Sequence, residues 1–221
     1  VTDPDGGVGT AAADATFYDL AYADADGAAS LPYQETPMRA LYDAVYGKIR
    51  RLQPVVDLGC GNGLMAQCLK ARGYCGDYLG LDFSDEALAA ADRLLEKTTG
   101  RVYPAEDELP EAAYRFTHAD LREWAEEPSP QTHDTVYLLL EVLEHLDDDV
   151  GLICRLPARS SVLFSVPNFW SHSHVRTFDR VGDAFRRYGH LLDIDSWQLL
   201  PTGSPQAAIH LYGGRRRASA W

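Results

Sequence analysis

The sequence predicts an α/β fold in which a parallel sheet carries helices on both faces. Three observations predict it. From about residue 50 onward, apolar runs of strand length alternate with amphipathic runs of helix length. The first of these runs, Val55-Val56-Asp57-Leu58, breaks into three alternate glycines, Gly59, Gly61 and Gly63, as a buried strand does where it ends in a tight turn. Leu64-Met65-Ala66-Gln67-Cys68-Leu69 then reads as a helix whose N-terminus points into the space that the turn leaves open.

Taken in order, residues 1–16 are rich in Gly, Ala and Asp without periodic apolar positions, and are expected to be mobile. Residues 17–221 are expected to form one domain, with 17–50 as an N-terminal helical segment and 51–221 as its core. Within the segment, Pro37 suits a first helical turn and the residues to Tyr46 carry apolar side chains at helical spacing. After the glycine turn come a strand at 78–82, a helix from Asp85 to Lys97, a strand near Tyr114 to Thr117 and a short helix around Leu121 to Trp124. A strand at Thr135–Leu140, a helix from Asp148 to Leu156 and a strand at Val162–Val166 follow. The tail offers Trp197–Leu200, a turn at Thr202–Pro205, and Ala207–Tyr212, an antiparallel hairpin.

Composition bounds the function. The chain has 221 residues, enough for one domain with a full core. No apolar run reaches the ~20 residues of a membrane helix and the opening residues have no signal-like pattern, which predicts a cytoplasmic protein. Cys60, Cys68, Cys75 and Cys154 form no C-x-x-C pair, so neither a zinc knuckle nor a disulfide framework is indicated. A net charge of −13 repels a phosphate backbone and argues for a small-molecule partner. Residues 151–190 nevertheless carry six arginines against Asp179 and Asp183, either as solvated surface or as the mouth for a polar or anionic substrate.

The second apolar strand ends in Asp82, a carboxylate placed to accept both hydroxyls of a ribose beside the glycine turn. A dinucleotide site asks for G-x-G-x-x-G, and Leu64 stands where its third glycine would be. The order Asp57-x-Gly59-x-Gly61-x-Gly63, then Asp82, then Asp120-Leu121 resembles the class I S-adenosylmethionine-dependent methyltransferases over roughly residues 50–213. That resemblance implies a Rossmann-like seven-stranded methyltransferase sheet closed by the C-terminal hairpin. It implies a cofactor site of Asp57, Gly59, Cys60, Gly61, Gly63, Asp82, Phe83, Asp120, Leu121 and Glu141, with Asp82 on the ribose and Asp120 and Leu121 about the adenine. It also implies that the 17–50 segment covers the cofactor as a lid; its aromatics could equally just pack on the sheet.

In an open α/β sheet, whatever follows Leu140 and Val166 faces the reacting methyl group. Glu141, Glu144 and His145 fall on one face if that stretch is helical, and the later loop adds His172 and His174. Glu141, Glu144, His145 and His174 would make an oxygen- and nitrogen-rich site for Mg²⁺ or another divalent metal, able to lower the pKa of a substrate hydroxyl. The E-x-x-E-H run is similar to that of the small-RNA 2′-O-methyltransferases, which use it for metal, and of the ubiquinone-pathway O-methyltransferases. A metal-free catalytic role for His145 or His174 as base, or a structural one, is the competing reading. Asp147, Asp148 and Asp149 read as the cap and first turn of the next helix. The expected activity is methylation of a hydroxyl on a small, aromatic or natural-product-like molecule. A ribose 2′-O-methyltransferase of RNA ends and a non-catalytic S-adenosylmethionine-binding protein are the alternatives.

Overall fold

A computed structural model of the protein describes residues 19–20, 22, 31–100, 112–125, 134–171 and 173–218; the expected mobile stretch 1–16 lies outside the described residues. The strands are β1 (Val55–Leu58), β2 (Tyr78–Asp82), β3 (Tyr114–His118), β4 (Val136–Leu140), β5 (Ser161–Pro167), β6 (Leu192–Pro201) and β7 (Ala208–Arg216). The helices are α1 (Arg39–Tyr46), α2 (Leu64–Ala71), α3 (Asp85–Lys97), α4 (Asp149–Arg155) and α5 (Val181–Tyr188). One seven-stranded sheet runs in the order β3-β2-β1-β4-β5-β7-β6. Its first five strands pair in parallel, and β7 enters antiparallel to both β5 and β6. None of the described helices is long and apolar enough to cross a membrane.

Alternation along the strands divides the core in two. Val55, Tyr78, Val136, Leu138 and Leu163 pack with Leu41 and Val45 of α1 and Met65, Ala66 and Leu69 of α2. Leu58, Tyr137, Leu139, Phe164 and Val166 pack on the opposite side with Leu152 and Ile153 of α4 and Ala184 and Tyr188 of α5. Phe164 is fully buried, stacked on Tyr212 at 4.8 Å and edge-on to Tyr188 at 5.5 Å.

Local chemistry sets the ends of the elements. Ser84 accepts the Ala87 N–H at 3.1 Å and Asp85 and Glu86 fill the first turn, so α3 starts where the sequence places it. The link before β5, Leu156 to Ser161, turns through Arg159 at φ 68°, with the Arg159 N–H bonded to the Arg216 carbonyl at 2.7 Å. One expectation is corrected and one helix is added. Residues 121–124 form a turn anchored by Asp120, whose carbonyl accepts the N–H groups of Glu123 and Trp124, and do not form a helix. Residues 181–188 do form a helix, which the sequence reading did not pick out although Val181, Ala184, Phe185 and Tyr188 stand at i, i+3, i+4 and i+7.

Phe164→Ala should lower unfolding stability by about 3–5 kcal/mol, because the aromatic stack would border a cavity. A urea titration should show a lower midpoint with an unchanged slope. A loss below about 1 kcal/mol would mean that Tyr188 and Tyr212 close the gap.

Candidate functional site

The glycine turn joins β1 to α2 through three left-handed positions, Gly59 at φ 78°, Gly61 at 52° and Gly63 at 71°. A Cβ on Gly59 would meet Val142 at 2.6 Å, and one on Gly61 would meet the Tyr22 hydroxyl at 2.5 Å. Asp82, at the end of the neighbouring β2, ties this turn to the sheet. Its Oδ2 accepts the Gly61 N–H at 2.8 Å and its Oδ1 accepts the Ser84 N–H at 3.0 Å. Burial raises its pKa, and the backbone donors at Ser84, Gly61 and Phe83 oppose that shift.

Beside this turn lies a cavity lined by Tyr22, Gly59, Asp82, Phe83, Asp120, Leu121, Arg122, Glu141, Val142, His145 and Leu146. The expected cofactor residues Gly59, Asp82, Phe83, Asp120, Leu121 and Glu141 are therefore brought together. Cys60, Gly61 and Gly63 belong to the same turn without lining the cavity. Asp57 stands behind it, 2% exposed, with its Oδ2 accepting the Tyr78 hydroxyl at 2.6 Å. Burial pushes its carboxyl up to about 7. Arg122, which the sequence reading did not single out, donates from its backbone N–H and from Nε to Asp120, each at 2.9 Å, and holds that carboxyl below the usual carboxylate range. The D-x-R spacing was the available signal.

The stretch after β4 departs from the expected helical turn. Glu141 adopts φ 57°, and its side chain turns back to Ser165 of β5. Its N–H donates to the Ser165 Oγ at 2.9 Å, and that hydroxyl donates to Glu141 Oε1 at 2.7 Å. Removal from water raises its pKa to about 7. Glu141 thus separates from the metal-ligand set in which the sequence reading placed it. Glu144, His145 and His174 do meet, with one ligand atom from each lying within 4.8 Å of the others. His172 lies outside the described residues.

Glu144 is fully buried, and neither carboxylate oxygen accepts a hydrogen bond from the described residues. Burial, with the Glu141 charge added, raises its pKa well above that of an ordinary glutamate. His145 Nδ1 lies 3.0 Å from the Ser173 carbonyl and His174 Nδ1 lies 3.2 Å from the Phe169 carbonyl. A carbonyl only accepts, so both rings carry their proton on Nδ1. His145 Nε2 then faces Glu144 Oε1 at 3.7 Å, beyond hydrogen-bond reach. Burial lowers both imidazoles, His145 to about 4.

Other titratable groups have structural partners. His118 pairs with Asp85 at 2.8 Å on the surface. Asp148 caps α4, as expected. Asp149 does more than open a helix. It is fully buried and held by Arg187 at 2.6 and 2.7 Å and by the Tyr188 hydroxyl at 2.6 Å. Arg176 and Arg187 of the arginine-rich stretch are therefore tied to an internal acid, and Arg186 pairs with Asp183.

Residues 55–156 match the family model described as a methyltransferase domain. The chain is 30% identical over 144 residues to a ubiquinone biosynthesis O-methyltransferase of Aliivibrio fischeri, a match covering 62% of this chain and 53% of that protein. It thus spans about half the length of the curated relatives it matches. A magnesium protoporphyrin IX methyltransferase from Synechocystis PCC 6803, solved with bound S-adenosylmethionine, superposes with a TM-score of 0.55 at 15% identity, covering 81% of this chain and 77% of that one. A small RNA methyltransferase gives a TM-score of 0.56 at 16% identity over 84% of this chain and 26% of its own. At such identities the structural likeness speaks to the fold.

The Asp57 pKa stands above that of an unfolded aspartate, ~3.9, so the native state holds an extra proton between about pH 4 and 7 and stability declines as pH rises through that window. Asp57→Asn keeps an acceptor for Tyr78 and removes the ionisation. Its thermal midpoint should drop less between pH 5 and pH 8 than the wild-type midpoint does. An equal drop would acquit Asp57.

Proposed function

We propose that this chain, a class I S-adenosylmethionine-dependent methyltransferase by its fold and matched domain, moves the sulfonium methyl group onto a hydroxyl oxygen of a small aromatic acceptor. The observation that carries the reading is the cluster of Glu144, His145 and His174, since His145 also lines the cavity bounded by Gly59 and Asp82.

The cavity fits the methyl donor. Gly59 leaves its wall without a Cβ, both Asp82 oxygens keep lone pairs for ribose hydroxyls after taking two backbone donors, and Leu121 and Val142 give a flat base apolar walls. S-adenosylmethionine supplies an electrophilic methyl group, so the protein has to align the acceptor and take away its proton. An imidazole with a pKa near 4 is a weak base toward a phenolic hydroxyl of pKa ~10. The same imidazole, neutral at physiological pH and fixed by its Nδ1 bond to a backbone carbonyl, is suited to ligate a cation.

Glu144 favours the second use. Among the described residues neither Glu144 oxygen accepts a hydrogen bond, and burial favours the neutral acid, so a cation between Glu144 and the imidazole nitrogen 3.7 Å away would supply the charge that holds it ionised. Glu144, His145 and His174 would hold a divalent cation, whose contribution is to lower the pKa of the acceptor hydroxyl. Glu141, turned to Ser165, stands beside the donor cavity and outside this ligand set.

The acceptor class is argued from the rim. Phe169 and Trp170 lie 6.1 and 6.3 Å from the His174 ring, and Trp170 is 56% exposed. They offer a planar acceptor an aromatic surface next to the cluster. The net charge of −13 favours a small acceptor over a nucleic acid backbone. The O-methyltransferase names of the curated relatives point the same way.

Calorimetric titration of S-adenosylhomocysteine, with and without Mn²⁺, tests the site in parts. Asp82→Ala should weaken nucleoside binding by about tenfold or more, because the ribose loses its acceptor; unchanged affinity would sink the ribose assignment. Glu144→Gln should leave that affinity within about twofold and cut turnover of a catechol about 100-fold or more. Turnover that survives both chelation and Glu144→Gln would return the proton to a histidine base. Trp170→Ala should raise KM for the catechol about tenfold with little change in kcat; an unmoved KM would remove the aromatic platform.

A further inference from the structure

The loop that follows β5 is stapled along the turn that follows β4. The Ser173 carbonyl takes the His145 ring proton at 3.0 Å, and the Val175 N–H donates to the Glu144 carbonyl at 2.8 Å. Arg176 completes the contact. Its Nη1 donates to the carbonyls of Leu143 and Leu146, and its Nη2 to that of Asp147 at 3.2 Å. Five consecutive residues, 143 to 147, are thus held by residues 173 to 176. Within the turn itself, the His145 N–H bonds back to the Val142 carbonyl at 3.0 Å.

We propose that Arg176 is a positioning residue: its guanidinium fork, gripping three carbonyls of the 143–147 turn, holds Glu144 and His145 in register with His174. This rests on the reading of those three side chains as a cation site. Arg176 lines neither the donor cavity nor the ligand cluster. Its planar head places donors on separate nitrogens in a fixed fork, Nη1 toward Leu143 and Leu146 and Nη2 toward Asp147, whereas a lysine gathers its three donors on one nitrogen at the end of a flexible stem and cannot reproduce that spread. Arg176 also lies 3.3 Å from the buried Asp149, but that carboxylate keeps Arg187 and the Tyr188 hydroxyl when Arg176 is changed. Losing Arg176 should therefore loosen the turn without orphaning a buried charge.

The test compares Arg176→Lys with Arg187→Lys, which contacts Asp149 but makes none of the bonds to the turn carbonyls. Arg176→Lys should remain folded, bind S-adenosylhomocysteine within about twofold of wild type, and lose about 10- to 100-fold in Mn²⁺ affinity by calorimetry. Arg187→Lys should keep wild-type Mn²⁺ affinity. A second readout needs no metal: long-range ¹H–¹⁵N correlations report the His145 tautomer, expected to be Nδ1–H in wild type and a mixture in Arg176→Lys. Wild-type Mn²⁺ affinity in Arg176→Lys would overturn the positioning role while leaving the cation site standing. If wild type binds no Mn²⁺, the cation reading falls, and the tautomer decides alone: a His145 that stays Nδ1–H in Arg176→Lys overturns the proposal, and a mixture upholds the positioning of the turn.

Discussion

Burial of carboxyl groups at and just beyond the strand ends is the constraint on which the rest of the structure depends. Asp57, Asp82, Glu144 and Asp149 all lie below 8% exposure. Taking a carboxylate out of water costs several kcal/mol unless donors or charges replace the lost hydration. Three of the four meet that cost, each differently. Asp149 has two guanidinium groups and a phenol, Asp82 has backbone N–H groups of the turns on either side, and Asp57 has one phenol and a pKa near neutrality. Among the described residues neither Glu144 oxygen accepts a hydrogen bond from a partner, and burial raises its pKa well above the ordinary value although Arg176 opposes that shift.

The sheet order explains why these groups meet. Five parallel strands all end at one edge, and the chain reverses its direction of travel between β1 and β4. At that reversal the connections leave to opposite faces, α2 to one core and α4 to the other, and a crevice opens between them. Gly59 and Val142, the residues just past β1 and β4, approach across it so closely that a side chain on Gly59 would collide. The glycine turn is therefore a packing requirement between two loops as much as a means of exposing backbone to a ligand.

What the sequence made legible was local. The glycine turn, Asp82 at a strand end and the helix from Asp85 to Lys97 depend on residues a few positions apart, and they stand where their spacing puts them. The expected E-x-x-E-H face assumed helical backbone. Glu141 instead takes a left-handed conformation, because its N–H and carboxylate are both claimed by Ser165, which lies in another strand. Asp149 looked like a first-turn acid because its partners, Arg176, Arg187 and Tyr188, come from a loop and a helix beyond β5. The arginine-rich stretch, legible as a charge excess, gave no hint that two of its members serve a buried acid. Long-range pairings of this kind leave no periodic trace.

The contrast between Asp149 and Glu144 bears on what the cluster is for. Both are acids at zero exposure on one short stretch, and Arg176 is near enough to Glu144 to favour its charged form. Yet that guanidinium spends its donors on the carbonyls of Leu143, Leu146 and Asp147 and its charge on Asp149. An acid buried for packing alone would gain most from the nearest arginine. Here the arginine secures the backbone on which the acid sits and leaves both carboxylate oxygens open toward two imidazoles that are themselves held neutral. That division of labour suits an acid whose counter-charge arrives from outside the chain.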